Sequence, residues 1–451
     1  MKVAFETLGC KLNQYETDSI ATTLSKRGWH PVAFQEDPRA DAYVINTCTV
    51  TNKADRKSRN VLYRILRQAP PTAPVILTGC FVESSPDFSP GSDRVYLVDN
   101  SRKSSIPHLL EAHLAGEILD PRELAQDIFG FATPEQLFHT RTNIKIQDGC
   151  DNFCSFCIIP FVRGPGASRP ARAVLEEARQ ALDGGARELV LTGVNMSRYR
   201  CPREEMPFPA LVRDLLELPG SFRLRISSLE PDQLTPDFLE LFAHPRMTPH
   251  LHLCLQSGSD RILRAMNRTY TSETYRRMIE GLRRETPLFN VTTDIIVGFP
   301  GETEKDFEES LLAIRDIRFG HVHTFPFSVR RGTGAAGLAG PISAAEKRRR
   351  SEAVLATAAE AKRTYRSSLV GGGEIVLVEK VTPSGSPGDG PGSGDIRAEG
   401  LGARYVPVRF SGESSRISPE PNRFYRVALE GIEAAGDDPV LTASLLDCYS
   451  P

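Results

Sequence analysis

Three times in the first eighty residues a short apolar run ends in a turn that carries a cysteine: Val3-Ala-Phe-Glu-Thr-Leu-Gly-Cys10, Ala42-Tyr-Val-Ile-Asn-Thr-Cys48 and Pro74-Val-Ile-Leu-Thr-Gly-Cys80. Helical patterns separate the runs. From Tyr15 to Arg27 the apolar Ile20 and Leu24 point inward, Lys26 and Arg27 close the last turn, and Gly28 stops it. Residues 53–68 place Val61, Leu62, Ile65 and Leu66 on one face. Strand–helix alternation of this kind implies a parallel, doubly wound α/β sheet. Ligands of such sheets bind beyond the carboxyl ends of the strands, so Cys10, Cys48 and Cys80 are expected to meet there. One such cysteine would be an ordinary small buried side chain. Three at equivalent strand ends suggest the ligands of one cluster with an open metal position.

A second triad is compact in sequence. Cys150, Cys154 and Cys157 stand in Asp148-Gly-Cys-Asp-Asn-Phe-Cys-Ser-Phe-Cys-Ile-Ile-Pro160, with C-x3-C-x2-C spacing. Structural iron–sulfur clusters take four cysteines, so three leave one iron open for substrate and chemistry. A zinc site would need a fourth ligand nearby, and the nearest downstream candidates are Cys201 and distant histidines. A disulfide does not suit three clustered thiols in a chain without an export signal. The motif resembles the signature of radical S-adenosylmethionine enzymes. In that family the open iron chelates the cofactor, which an electron from the cluster cleaves to a 5′-deoxyadenosyl radical.

At 451 residues the chain has room for three domains of about 150 residues each. The first is expected over residues 1–125. The second, over 138–368, alternates strands at Asn143–Gln147, Glu188–Leu191, Leu224–Ser227, His252–Leu255, Thr292–Val297 and Val322–Phe325 with helices such as Ala171–Leu182. Six units of this kind suggest a partial parallel (β/α)6 barrel, whose site gathers at the strand carboxyl ends. The motifs there are Thr192-Gly-Val-Asn195, Ser227-Ser-Leu-Glu230, Gln256-Ser-Gly-Ser259 and Gly298-Phe-Pro-Gly301. Gly193, Asn195, Glu230, Gln256 and Ser257, with Phe156 between the last two cysteines of the motif, are the candidate cofactor contacts. A charged helix from about Ala344 to Ser367 then leads to a third domain over 370–451. Alternating runs at Glu374, Tyr405 and Phe424 suggest a small antiparallel β-barrel. The Gly/Pro/Ser run from Thr382 to Gly394 is expected to be a mobile loop.

Together, the three segments resemble the methylthiotransferases over essentially the whole chain. That resemblance implies an N-terminal domain with an auxiliary cluster, a radical S-adenosylmethionine barrel and a C-terminal TRAM barrel. It implies two [4Fe-4S] clusters, one on Cys150, Cys154 and Cys157 and a sulfur-delivering one on Cys10, Cys48 and Cys80. It also implies two molecules of S-adenosylmethionine per product and an external electron donor. The reaction inserts a methylthio group at an unactivated C–H bond, which no side-chain base can deprotonate and only a cofactor radical can open. Leu8-Gly-Cys-Lys-Leu-Asn-Gln-Tyr-Glu-Thr17 and Ile45-Asn-Thr-Cys-Thr-Val-Thr-Asn-Lys-Ala-Asp55 resemble the branch that modifies N6-threonylcarbamoyladenosine at position 37 of tRNA, beside the anticodon. The isopentenyladenosine branch typically has Tyr-Gly-Cys-Gln-Met-Asn at the first site, and the ribosomal-aspartate branch has Gly-Cys-x-Lys-Asn.

Net charge of −2 gives no global signal for nucleic acid, so contact must come from local patches. Arg163, Arg169 and Arg172 follow the cluster loop, and Arg163 and Arg169 are the first candidates to pair the substrate's carboxylate. Arg261, Arg264, Arg268, Arg276, Arg277, Arg283 and Arg284 form a second basic stretch. From Ile375 onward seven Lys/Arg face eleven Asp/Glu, a net of −4, which is unhelpful for phosphates, although Arg404, Arg409 and Arg423 could form a patch. The Glu430–Asp438 stretch is expected to face solvent. Cys201, Cys254 and Cys448 have no paired spacing and read as structural. With no apolar run of spanning length, a cytoplasmic monomer is expected. The rival readings are a protein-modifying methylthiotransferase, an iron–sulfur electron carrier and a zinc-stabilised RNA-binding module.

Overall fold

A computed structural model describes residues 1–231, 234–383, 395–413, 418–433 and 438–451. The chain forms two compact units, one of residues 1–184, 190–208 and 328–337, the other of 185–189, 209–327 and 338–451.

The first unit is built on five parallel strands, β1 (Lys2–Thr7), β2 (His30–Ala33), β3 (Ala42–Thr47), β4 (Val75–Gly79) and β5 (Val95–Val98), in the order β2-β1-β3-β4-β5. Helices α1 (Lys11–Lys26), α2 (Asn52–Gln68), α3 (Cys80–Ser84) and α4 (Ile106–Leu114) connect or cover them. Every residue of β3 and β4 is buried, as expected of a sheet covered on both faces. Val3, Phe5, Val44 and Ile76 pack on Ile20 and Leu24 of α1 and Leu109 of α4. Ala4, Tyr43, Ile45 and Leu77 pack on Val61, Leu62 and Ile65 of α2. Each such aliphatic side chain contributes about 1.5–3 kcal/mol when fully buried. The edge strands β2 and β5 were not expected from the sequence: at four residues each, largely half-buried and with Pro31 in β2, they lack a clean pattern.

The strand order reverses between β1 and β3, and such a switch point opens a crevice at the strand carboxyl ends. Cys10 and Cys48 leave those two strands, and Cys80 follows their neighbour β4. Beyond this sheet, β6 (Thr142–Lys145) is followed by a two-stranded ribbon, β7 (Gln147–Asp148) with β8 (Ala167–Ser168), which brackets the second cysteine triad. Helix α5 (Ile159–Arg163) leaves that triad, and α6 (Ala171–Asp183) leads to β9 (Glu188–Thr192), where Ile146 N–H donates to Thr192 O at 3.0 Å.

In chain order the second unit continues the alternation with α7 (Phe208–Leu216, starting at the unit boundary), β10 (Arg223–Ile226), α8 (Pro236–Glu240), β11 (His250–His252), α9 (Asp260–Ala265), α10 (Ser272–Glu285), β12 (Asn290–Val297), α11 (Glu304–Ile317) and β13 (His321–Pro326). Strands β11, β12 and β13 are parallel. β11 ends at His252 rather than running to Leu255, and Gln256 beyond it has φ +68°. Helix α12 (Ala344–Leu369) then feeds a closed barrel of β14 (Gly373–Pro383), β15 (Asp395–Gly402), β16 (Pro407–Glu413), β17 (Phe424–Glu433) and β18 (Val440–Tyr449), in the order β14-β15-β16-β18-β17. Val376, Val378, Val408, Phe410, Val427 and Leu441 fill it. Two of its strands escaped the sequence reading: β15 holds two glycines, and β18 carries small residues at its centre. The expected mobile run is outside the described residues from 384 to 394, as are residues 434–437 of the expected solvent-facing stretch. No helix among the described residues is long and apolar enough to cross a membrane.

Arg223 and Arg225 join β10 to the barrel within this unit. Both guanidinium groups reach Glu188, at 2.5 and 2.6 Å; Arg223 also donates to Ile375 O and Leu401 O, at 3.1 and 3.0 Å, and Arg225 to Gly402 O and Ala403 O, at 3.4 and 3.3 Å.

Candidate metal centre

The N-terminal triad is held by its own turns. Gly9, at φ +108°, brings the chain so close to Cys48 that a side chain there would meet Cys48 Cβ at 2.9 Å. Gly79, at φ +102°, runs against the Thr47 backbone. Asn13 on α1 ties two of the turns together: its Nδ2 donates to Leu8 O at 2.7 Å and Thr47 O at 2.9 Å. Cys10 is exposed, Cys48 half-buried and Cys80 buried, and all are free thiols. Burial pushes the Cys48 thiol up to about 11, with Cys80 and Cys10 adding to the rise. Cys80 is raised by its burial against the pull of Arg163 and Lys103. The three sulfurs therefore lie within electrostatic reach of one another, and metal binding here must displace protons.

The second triad is shaped by Gln147. Its Nε2 donates to Asp148 O and Gly149 O, both at 2.8 Å, while its Oε1 accepts from the backbone N–H groups of Val194 and Asn195 at 2.9 and 2.8 Å. Gly149 (φ +70°) lies against the Pro165 backbone with no room for a Cβ. Cys150 Sγ accepts from Asn152 N–H at 3.5 Å and Asn195 Nδ2 at 3.6 Å. Hydrogen bonds to sulfur of this kind tune iron–sulfur ligands. Gly193 and Asn195 thus stand beside the cluster loop as expected candidates, and half-buried Phe156 lies inside it. Phe153, at φ +45° and 54% exposed, meets Phe161, 56% exposed, edge to face at 5.9 Å.

Both triads border α5. Cys80 packs with Ile158 and Val162, and Asn100 Nδ2 donates to Val162 O at 2.7 Å. The residue that ends α5, Arg163, has a buried side chain. Its guanidinium is engaged by Glu16 at 3.1 Å, Asp148 at 2.9 Å and Asn13 Oδ1 at 2.7 Å. Arg169 is paired with buried Glu177, which also accepts from Tyr15 OH at 3.2 Å. Arg163 and Arg169, the first candidates to pair the substrate's carboxylate, are thus both held by carboxylates of the protein itself.

Glu230, Gln256 and Ser257 lie in the second unit. Glu230 is paired with Arg268. Gln256 receives Ile296 N–H at 2.9 Å and donates its own N–H to Asp294 O at 2.8 Å. Ser257 is fully buried, its Oγ 3.4 Å from Ser310 Oγ and accepting from Ser259 N–H at 3.2 Å, so its hydroxyl shapes the turn. Several arginines of the basic stretch are engaged within the protein: Arg261 pairs with Asp306, Arg276 with Asp316 and Arg277 with Glu273, while Arg283 donates to backbone carbonyls. In the barrel Arg404, Arg409 and Arg423 pair with Glu374, Glu399 and Glu420, which removes the patch expected there.

Cys201, a candidate fourth zinc ligand, is buried with its sulfur accepting from Ala171 N–H at 3.3 Å. Cys254 Sγ lies with donor atoms of His252 and Asp294, all within 4.8 Å of one another, a group not anticipated from spacing. Sequence reasoning also missed Asn13, Asn100 and Gln147, whose amides hold the cysteine turns. Only their nearness in sequence to cysteines or strand ends could have flagged Asn13 and Gln147, and Asn100 carried no signal.

Comparison with known proteins adds independent findings. A model described as the radical SAM superfamily matches residues 144–314, and one described as the uncharacterized protein family UPF0004 matches residues 2–91. A Bacillus subtilis protein named threonylcarbamoyladenosine tRNA methylthiotransferase MtaB is 37% identical over 382 residues, 81% of this chain and 82% of its own. Its Chlamydia pneumoniae namesake is 38% identical over 393 residues, 85% of this chain and 88% of its own. A Geobacter sulfurreducens tRNA-2-methylthio-N(6)-dimethylallyladenosine synthase is 34% identical, over 84% of this chain and 87% of its own. Among solved structures, the radical S-adenosylmethionine methyltransferase TsrM from Kitasatospora setae aligns with a TM-score of 0.55 at 14% identity, covering 74% of this chain and 76% of that one, a likeness of fold.

Proposed function

The chain belongs to the radical S-adenosylmethionine tRNA methylthiotransferases, and we propose that its substrate is N6-threonylcarbamoyladenosine at position 37 of tRNA, converted to the 2-methylthio derivative. The observation that carries the reaction class is the pair of cysteine triads bordering one short helix, α5. The radical SAM match brings with it a [4Fe-4S] cluster and S-adenosylmethionine. In our reading Cys150, Cys154 and Cys157 hold that cluster, and Cys10, Cys48 and Cys80 hold a second one from which sulfur is delivered. Each donor set brings together three thiols, which fits a four-iron cluster that keeps one iron open. When bound, these groups supply the radical and the methylated sulfur.

The chain's own residues do the positioning. Gln147 and Asn195 hold the radical-forming loop, and Asn13 sets the spacing of Cys10 and Cys48. Phe153 and Phe161 offer exposed aromatic faces beside the cluster loop, suited to an unstacked base of a tRNA loop. On α2, Lys53, Arg56 and Lys57 are exposed and suit phosphate contact. In our reading the protein acts in the cytoplasm as a monomer and takes its electron from an external donor.

The substrate assignment rests on the local sequences around Cys10 and Cys48 and on the names of the 37–38% identical relatives. Purified, reconstituted enzyme is offered tRNA bearing threonylcarbamoyladenosine or isopentenyladenosine in parallel, with product nucleosides measured by mass spectrometry. Preference for the first is expected. Equal rates, or preference for the second, overturn the substrate while leaving the reaction class.

A further inference from the structure

A buried charge cluster adjoins the N-terminal triad, and no step of the reaction requires it. Lys103 Nζ lies 2.5 Å from Glu16, Lys145 Nζ lies 3.1 Å from Glu16 and 2.7 Å from Asp148, and Arg163 bridges Glu16 and Asp148 at 3.1 and 2.9 Å. None of these side chains is more than 5% exposed. Three cations thus face two carboxylates, a surplus of one positive charge where solvent cannot screen it. A buried surplus needs an anion, and the geometry names the place. Arg163 Nη2 donates to Asn13 Oδ1 at 2.7 Å, and the same amide holds the carbonyls of Leu8 and Thr47, just before Cys10 and Cys48. Val162, adjoining Arg163, packs on Cys80. Lys103 lies one turn beyond Asn100, whose Nδ2 is 4.0 Å from Cys80 Sγ.

We propose that Arg163 and Lys103 are positioning residues for the N-terminal cluster: their surplus charge offsets its negative charge and raises its reduction potential. This rests on the reading that Cys10, Cys48 and Cys80 hold a cluster. A reduced cluster carries one more negative charge than an oxidised one, so each buried cation favours reduction and each buried carboxylate opposes it. Arg163 comes from the helix that leaves the radical-forming loop, so the loop that binds one cluster carries the charge that tunes the other.

The test uses full-length protein with Cys150, Cys154 and Cys157 replaced by Ala, so that only the N-terminal site takes up iron. After anaerobic reconstitution, iron content and an EPR-monitored redox titration are read. Arg163→Gln and Lys103→Met remove the surplus and are expected to lower the potential. Glu16→Gln enlarges the surplus and is expected to raise it. The double variant Glu16→Gln/Lys103→Met keeps the surplus and is expected to stay near the parent. A purely structural clamp would move all variants alike, so shifts of one sign, or none, overturn the proposal. Should Arg163→Gln not fold, Glu16→Gln against the double variant still decides it. A parent that binds no iron overturns the reading of the triad instead, and the proposal with it.

Discussion

Asp18 on α1 is the clearest point at which buried charge governs stability. It is 6% exposed, and burial raises its carboxyl to about 7. An unfolded chain holds such a carboxyl near 3.9. The folded protein therefore retains a proton that the unfolded chain releases, and stability falls as pH rises from about 4 to about 7, then levels off. The shift of about three units corresponds to about 4 kcal/mol at the plateau. Asp18→Asn removes the charge and keeps the shape, so it is expected to stabilise the first unit by about 4 kcal/mol at pH 8 and by only about 1.5 kcal/mol at pH 5, where little of the penalty has developed. Trp29, the single tryptophan, is buried in the same core as Ile20 and Leu24 of α1. Its fluorescence during urea unfolding of the apoprotein, at both pH values, reads the difference directly, and the parent-to-variant comparison cancels other titrating groups. A stability difference that is the same at pH 5 and pH 8, or a destabilised variant at pH 8, would refute the reasoning.

Three further outcomes follow from the geometry. Replacing Cys10, Cys48 and Cys80 by Ala is expected to leave reductant-dependent 5′-deoxyadenosine formation intact while abolishing methylthiolated product, whereas Cys150→Ala abolishes both; chromatography of the two products checks this. Glu188→Ala strands Arg223 and Arg225 as buried unpaired cations and is expected to destabilise the second unit by about 3–5 kcal/mol, measured by chemical denaturation. Phe153→Leu and Phe161→Leu are each expected to weaken tRNA binding by about 1–3 kcal/mol in a filter or fluorescence assay without lowering iron content, provided a base stacks there.

Part of this architecture was plain in the residue order because the responsible signals are local. Apolar runs closed by cysteine-bearing turns determine strands β1, β3 and β4 and put the three cysteines at equivalent ends, and the Cys150–Cys157 spacing brings three thiols into one loop whatever surrounds it. Short edge strands such as β2 and β5 were not legible, since their pairing comes from neighbours distant in sequence. The chief reversals concern charge. On α1, Asn13, Glu16 and Asp18 look like polar residues of an amphipathic helix, yet all are buried, because the helix is covered on more than its sheet-facing side: Glu16 meets Lys145 of β6. Arg163 and Arg169 look like open phosphate or carboxylate ligands, yet the first is held by Glu16, far away in the chain, and the second by Glu177 on the helix that follows. Residue order alone determined the strands and turns that carry the two cysteine triads, because backbone periodicity and turn chemistry act over a few residues; the three segments read from it are not the two units into which the chain packs. Which charges face solvent and which are locked around the metal centre was decided only by tertiary packing, because a charge's partner is set by distance in space.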